Sequence, residues 1–92
     1  MLDIRLPQVD GWKLLQPEGK SPRNEKTFSF DGFMPGVEFV NEVARIAEDE
    51  GHHPDVYLKW GEVRVTVWTH AARGLTENDF ILAAKIDNLK KK

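Results

Sequence analysis

The stretch PDVYLKWGEVRVTV, residues 54–67, can be folded in few ways. Trp60-Gly61 interrupts two runs rich in β-branched and aromatic residues, which is the pattern of two strands joined by a tight turn. With Lys59 set opposite Glu62, Leu58 meets Val63, Val56 meets Val65 and Pro54 meets Val67, all on one face. Tyr57 then meets Arg64, and Asp55 meets Thr66, on the other face. A slip of one residue would mix the two sets, so the pattern itself specifies the register. Pro54 falls at the strand start, where its missing N–H does least harm. A hairpin with one apolar face is not stable alone, so the valines require a covering layer.

The rest of the chain supplies that layer and a second hairpin. Residues 11–16, GWKLLQ, read as a strand, and residues 26–32, KTFSFDG, alternate polar and aromatic side chains as a half-buried strand does. The turn-rich PEGKSPRNE, 17–25, lies between them. A helix follows, with Pro35 at its first position and an apolar face of Val37, Val40, Val43, Ala44 and Ala47. Gly51 is a natural C′ residue. A second helix lies within LTENDFILAAKIDNL, where Thr76 can act as N-cap and Asp79 sits at N3; capping alone accounts for Asp79 there. The order ββαββα predicts an α+β two-layer sandwich: a four-stranded antiparallel sheet of two hairpins with the helices on one face. At 92 residues this is one domain, 1–92, with a small core.

Composition removes several function classes. Thirteen basic and 15 acidic side chains give a net charge of −2, which does not suit a polyanion, so no direct nucleic-acid partner is expected. The terminal KKK suits the negative end of a helix dipole. There is no cysteine, hence no disulfide, thiolate nucleophile or thiolate metal site. No run approaches the ~18 apolar residues of a membrane span, and no signal-peptide core is present, so a cytoplasmic location and no membrane partner are expected.

All three histidines, His52, His53 and His70, bracket the hairpin. Extending its ladder by two steps sets His53 opposite Trp68 and His52 opposite Thr69, with His70 just beyond. The hairpin thereby brings three imidazoles to one corner, beside the end of the first helix. Glu48, Asp49 and Glu50 crowd that helix end, where the dipole disfavours negative charge. Glu48 follows Ala44 by four residues and is the best placed to reach the imidazoles; Asp49 and Glu50 are expected to face water. A shared metal is disfavoured, because adjacent residues of an extended chain point to opposite faces and His52 and His53 cannot easily grip one ion. Nucleophile elbows and phosphate-binding glycine loops are absent from the sequence, which leaves general acid–base chemistry by imidazole. Trp12, Trp60 and Trp68 read as core or rim, with Trp68 set apart because it points away from the valines.

These residues resemble a known signature. In GHHPDVYLKWGEVRVTVWTHAARGLTENDF and the glutamate preceding it, Glu48, His52, His53, Pro54, Tyr57, Thr69, His70 and Asp79 match that of the pterin-4a-carbinolamine dehydratases, and GWKLL resembles that family's Gly-Trp near the first strand. The likeness runs from about residue 7 to 89. It implies removal of water from a 4a-hydroxytetrahydropterin to give quinonoid dihydropterin, in tetrahydrobiopterin recycling, with no metal or organic cofactor. It implies His52, His53, His70 and Glu48 as the catalytic set. Trp12, Pro54, Trp68, Thr69 and Asp79 become the substrate-binding set. It also implies a homodimer or homotetramer. Two other roles are compatible with the resemblance: a module that stabilises a transcription-factor dimer as a coactivator, and a pterin-binding role in molybdenum-cofactor or folate metabolism. The family usually opens on an extra amphipathic helix, for which MLDIRLPQVD is too short.

Overall fold

The computed structural model describes residues 11–19, 22–68 and 77–90. Strands β1 (Lys13–Leu15) and β2 (Arg23–Ser29) precede helix α1 (Met34–Glu50). Strands β3 (Asp55–Lys59) and β4 (Glu62–Val67) then precede helix α2 (Glu77–Lys90). The order is therefore ββαββα, as the sequence predicts. The four strands form one antiparallel sheet in the order β1-β2-β4-β3, so each hairpin stays intact and β2 pairs with β4 where the two meet.

The register of the second hairpin is the one its side chains specify: Lys59 opposite Glu62, Leu58 opposite Val63, Tyr57 opposite Arg64, Val56 opposite Val65 and Asp55 opposite Thr66. Val63, Val65 and Val67 are fully buried. Each such side chain contributes about 1.5–3 kcal/mol, so a slipped register would forfeit the largest favourable contribution in the sheet. Gly61 closes the turn at φ 77°, a conformation that costs glycine little.

Both helices lie on the valine face. From α1 come Phe39 and Val43, from α2 Leu82, Ala83 and Ile86, and Trp12 and Phe28 complete the buried cluster. Helix α1 approaches the sheet closely at Gly36, where a Cβ would stand 3.0 Å from Leu58 Cδ1 and 3.3 Å from Val63 Cγ2.

Three details differ from the sequence reading. The first hairpin is shifted: β1 covers only 13–15, and β2 starts at Arg23, inside the stretch read as loop, and ends at Ser29. Polar residues concealed it. Asn24 is fully buried opposite Val67, and Lys26, on the same face, pairs with the buried Asp87 of α2. Helix α1 begins at Met34, so Pro35 is its second residue. Its buried positions are Gly36, Phe39, Val43 and Ala47, whereas Val37 and Val40 are half-buried and Ala44 is exposed. The apolar stripe in the sequence is real, but only part of it faces the core.

Candidate active site

The end of α1 sets the geometry of the site. Gly51 takes the left-handed conformation (φ 64°, ψ 29°), and its N–H donates to the Glu48 carbonyl at 3.2 Å. The His52 N–H donates to the Ala47 carbonyl at 3.1 Å. This pair of bonds is a Schellman closure, which satisfies two helix-end carbonyls and turns the chain sharply. It delivers His52 and His53 immediately beside the last turn that carries Glu48.

From there the two imidazoles part. His52 Nε2 lies 2.5 Å from Oδ1 of Asp79, in the first turn of α2. That carboxylate is fully buried, and the His52 side chain is 17% exposed. His53 Nε2 lies 2.5 Å from Oε1 of Glu48, one turn back on α1. This pair is open, at 63% and 76% exposure. Each ring thus has one nitrogen held by a carboxylate, which fixes its orientation. The alternation of an extended chain makes neighbours diverge. Here it sends one histidine to each helix.

The two-step extension of the hairpin ladder is not formed: pairing stops at Asp55–Thr66, and residues 52–54 are not in a strand. Thr69, His70 and Thr76 lie outside the described residues. Asp79 is not accounted for by capping alone, since its carboxylate holds a ring 27 residues away. Glu50 does not simply face water either; it pairs with Lys85 of α2 and ties the two helices together.

The proposed binding residues are dispersed. Trp12 is 6% exposed and packs edge-on against Phe28, with ring centroids 6.1 Å apart, so it belongs to the core. Trp68 lies on the helix-free face, its Nε1 donating to Asp55 Oδ2 at 3.0 Å, with the Arg23 guanidinium 4.0 Å from the ring centroid. Pro54 is half-buried and lines a groove with His53.

That groove, of about 190 Å³, runs between α1 and β3. Its walls are Val40, Val43, Ala44 and Ala47 on one side and Pro54 and Val56 on the other, with Glu48 and His53 at the polar end. An apolar slot ending in a carboxylate-held imidazole suits a flat ring whose faces lie against the walls and whose polar edge exchanges a proton. A larger hollow, about 520 Å³, is bordered by Phe30, Pro35, Glu42, Arg45 and Leu89 and holds no histidine. Among the described residues no group of three His, Asp or Glu side chains could hold a metal ion, and no helix is long and apolar enough to cross a membrane. Val40 and Ala44 carried a signal in the sequence, as members of the apolar stripe, but that signal did not distinguish groove wall from core.

Comparison with known proteins identifies the family. The family model for pterin 4 alpha carbinolamine dehydratase matches residues 2–89. A Vibrio vulnificus protein provisionally named a pterin-4-alpha-carbinolamine dehydratase is 48% identical over 84 residues, covering 91% of this chain and 76% of that protein. The mitochondrial pterin-4-alpha-carbinolamine dehydratase 2 of Arabidopsis thaliana is 46% identical over 86 residues, 92% of this chain and 46% of its own. Among solved structures, a transcriptional coactivator/pterin dehydratase from Brucella melitensis superposes with a TM-score of 0.76 at 31% identity, covering 87% of this chain and 82% of that one. A pterin dehydratase-like protein identified as a RuBisCO assembly factor in the alpha-carboxysome gives 0.70 at 28% identity, over 86% and 88%. The chain belongs to the pterin-4a-carbinolamine dehydratase family.

Proposed function

We propose that this member of the family is an active 4a-hydroxytetrahydropterin dehydratase, a hydro-lyase whose chemistry is carried by His53 and Glu48 together with His52 and His70. The observation that carries the reading is the open His53–Glu48 pair at the end of an apolar groove. Dehydration breaks the C4a–O bond, sends the hydroxyl out as water after it gains a proton, and forms a C4a=N double bond as the adjacent ring nitrogen loses one. One group must therefore give a proton and another take one. His53, which lines the groove, fits the acceptor: in the tautomer that donates Nε2–H to Glu48, Nδ1 keeps a lone pair able to take a proton. The donor then falls to His70 or His52. His52 is held by a buried carboxylate and largely covered, so it also orients the segment that carries His53.

In this proposal the walls of the groove hold the flat pterin, Pro54 and His53 border it, and Thr69 keeps the binding role that the family resemblance implies. Trp12 acts through core packing, and Asp79 through His52. No metal or organic cofactor takes part, and the setting is tetrahydrobiopterin recycling in the cytoplasm. The decisive experiment is a stopped assay of 4a-hydroxytetrahydropterin dehydration with purified protein, with and without chelator. Dehydration well above the uncatalysed rate and indifferent to chelator is expected; a rate equal to buffer alone would refute the proposal.

The likeness to a transcriptional coactivator/pterin dehydratase and to a RuBisCO assembly factor favours a second reading, that of a binding or assembly module. It predicts that His53→Ala leaves partner binding intact and that no dehydration is measured in the wild type. The molybdenum-cofactor or folate alternative keeps the site and changes the pterin, so it is tested by the same assay run with other pterins.

A further inference from the structure

Strand pairing stops short of the candidate site. The ladder between β3 and β4 ends at Asp55–Thr66, and residues 52–54 lie outside any strand. The sequence explains the stop. The next rung would set Pro54 opposite Val67, and proline has no N–H to give to a ladder. Sheet hydrogen bonds therefore do not hold the segment that carries His53, although His53 keeps its place beside Glu48 at the end of the groove.

Side chains take over at both ends of this segment. At its start, the His52 N–H donates to the Ala47 carbonyl and the His52 ring meets the buried Asp79. At its end, Asp55 reaches across the hairpin on the helix-free face, and its Oδ2 accepts from the indole Nε1–H of Trp68 at 3.0 Å. Asp55 and Trp68 stand diagonally, and diagonal neighbours lie about 7–8 Å apart, a span that an indole bridges. The indole is itself held from β2: the Arg23 guanidinium stands 4.0 Å from its ring centroid, within the reach of a cation–π contact. Strand β2 is paired on both sides, with β1 and with β4, so this anchor rests on the interior of the sheet. Between Asp55 and His53 lies only Pro54, whose ring fixes its own φ and restricts the residue before it. Holding Asp55 thus leaves His53 few directions to take. The groove lies between α1 and β3, on the other side of the sheet from the indole.

We infer that Arg23, Trp68 and Asp55 form a clasp that fixes the start of β3 and thereby sets His53 against Glu48. Trp68 is then a positioning residue for the proton acceptor rather than a wall of the pterin site. The placement of His53 by the clasp stands on geometry alone, whereas its effect on the rate rests on the dehydratase reading.

The direct readout is the His53 ring. In the wild type, at a pH where the rings are neutral, ring-nitrogen NMR shifts should show His53 mainly as the Nε2–H tautomer that donates to Glu48. Trp68→Phe keeps an aromatic face for Arg23 and removes the N–H donor, and Asp55→Ala removes the acceptor. Either change should turn His53 into a mixture of tautomers and leave His52, held by Asp79, as it is. In the dehydration assay each should lower kcat by about 10–10²-fold with KM little changed, the signature of a displaced catalytic group. Combining them should cost no more than the larger single loss, because both break one bond. Asp55→Asn, which keeps an acceptor oxygen, should retain most of the rate. Wild-type His53 signals in both variants would overturn the clasp, and so would a lowered melting temperature with kcat unchanged. A lowered kcat with the His53 ring unaltered would overturn it in favour of an indole that meets the substrate. Absence of dehydration by the wild type would instead refute the dehydratase reading, and the His53 signals would still decide the clasp.

Discussion

Two histidines adjacent in sequence sit in opposite environments. His52 reaches inward to a carboxylate that no solvent touches, and His53 reaches outward to one that is 76% exposed. The chemical groups are the same and the hydrogen bonds equally short. The surroundings decide what each pair can do. A buried carboxylate that loses a hydrogen-bonding partner forfeits part of what offsets its desolvation, so the His52–Asp79 pair helps hold α2 to the segment leading into β3. An exposed pair contributes little to stability, which leaves the His53–Glu48 pair available for proton transfer at the end of the groove.

The largest expected effect breaks the open pair. His53→Ala should lower the dehydration rate by about 10²–10⁴-fold, the usual contribution of a general acid or base. Its unfolding free energy should stay within about 0.5 kcal/mol of wild type, as for most surface changes. Stopped-flow rates beside urea unfolding test both halves. Changing His53 and His70 together should cost less than the product of the single losses, because groups that act in one step are not additive.

Breaking the buried pair should have the complementary signature. His52→Ala takes the imidazole from the buried Asp79 and should destabilise the fold by about 1–3 kcal/mol. Asp79→Asn, which keeps a hydrogen-bonding group and removes the charge, should cost clearly less. Equal urea midpoints for His52→Ala and His53→Ala would erase the distinction between the two pairs.

Smaller effects sharpen the account of how the pairs are placed. A Cβ at Gly51 meets nothing within 4 Å, so Gly51→Ala suffers only the left-handed backbone, about 1–2 kcal/mol. Chemical denaturation should find that value with the dehydration rate reduced modestly, since the turn orients both histidines. Lys85→Ala removes the surface tie to Glu50 and should cost about 1 kcal/mol or less, with the rate unchanged.

How far the sequence was legible depended on how far each contact reaches along the chain. The β3–β4 register followed from alternation and a two-residue turn, both local, and its pairs from Lys59–Glu62 to Asp55–Thr66 formed, while Pro54–Val67 and the ladder beyond it did not. The start of β2 was illegible because Asn24 and Lys26 are polar residues at core-facing positions, and Lys26 is satisfied by Asp87, 61 residues away. Asp79 obeyed a local capping rule, which concealed a bond to a residue 27 positions earlier. Helical periodicity marked Val37, Val40 and Ala44 correctly as apolar, but periodicity carries no information on whether such a stripe meets the core, a ligand or another copy.

The contrast between the two histidines is tested most directly by chemical rescue. The dehydration rates of His53→Ala and His52→Ala would be measured with and without added imidazole, each variant verified as folded. The open His53 position should admit free imidazole and regain a substantial part of its lost rate, while the half-buried His52 position, closed over by α2, should regain none. Wild-type dehydration by His53→Ala without imidazole, or rescue of His52→Ala alone, would contradict the assignment of the chemistry to the open pair.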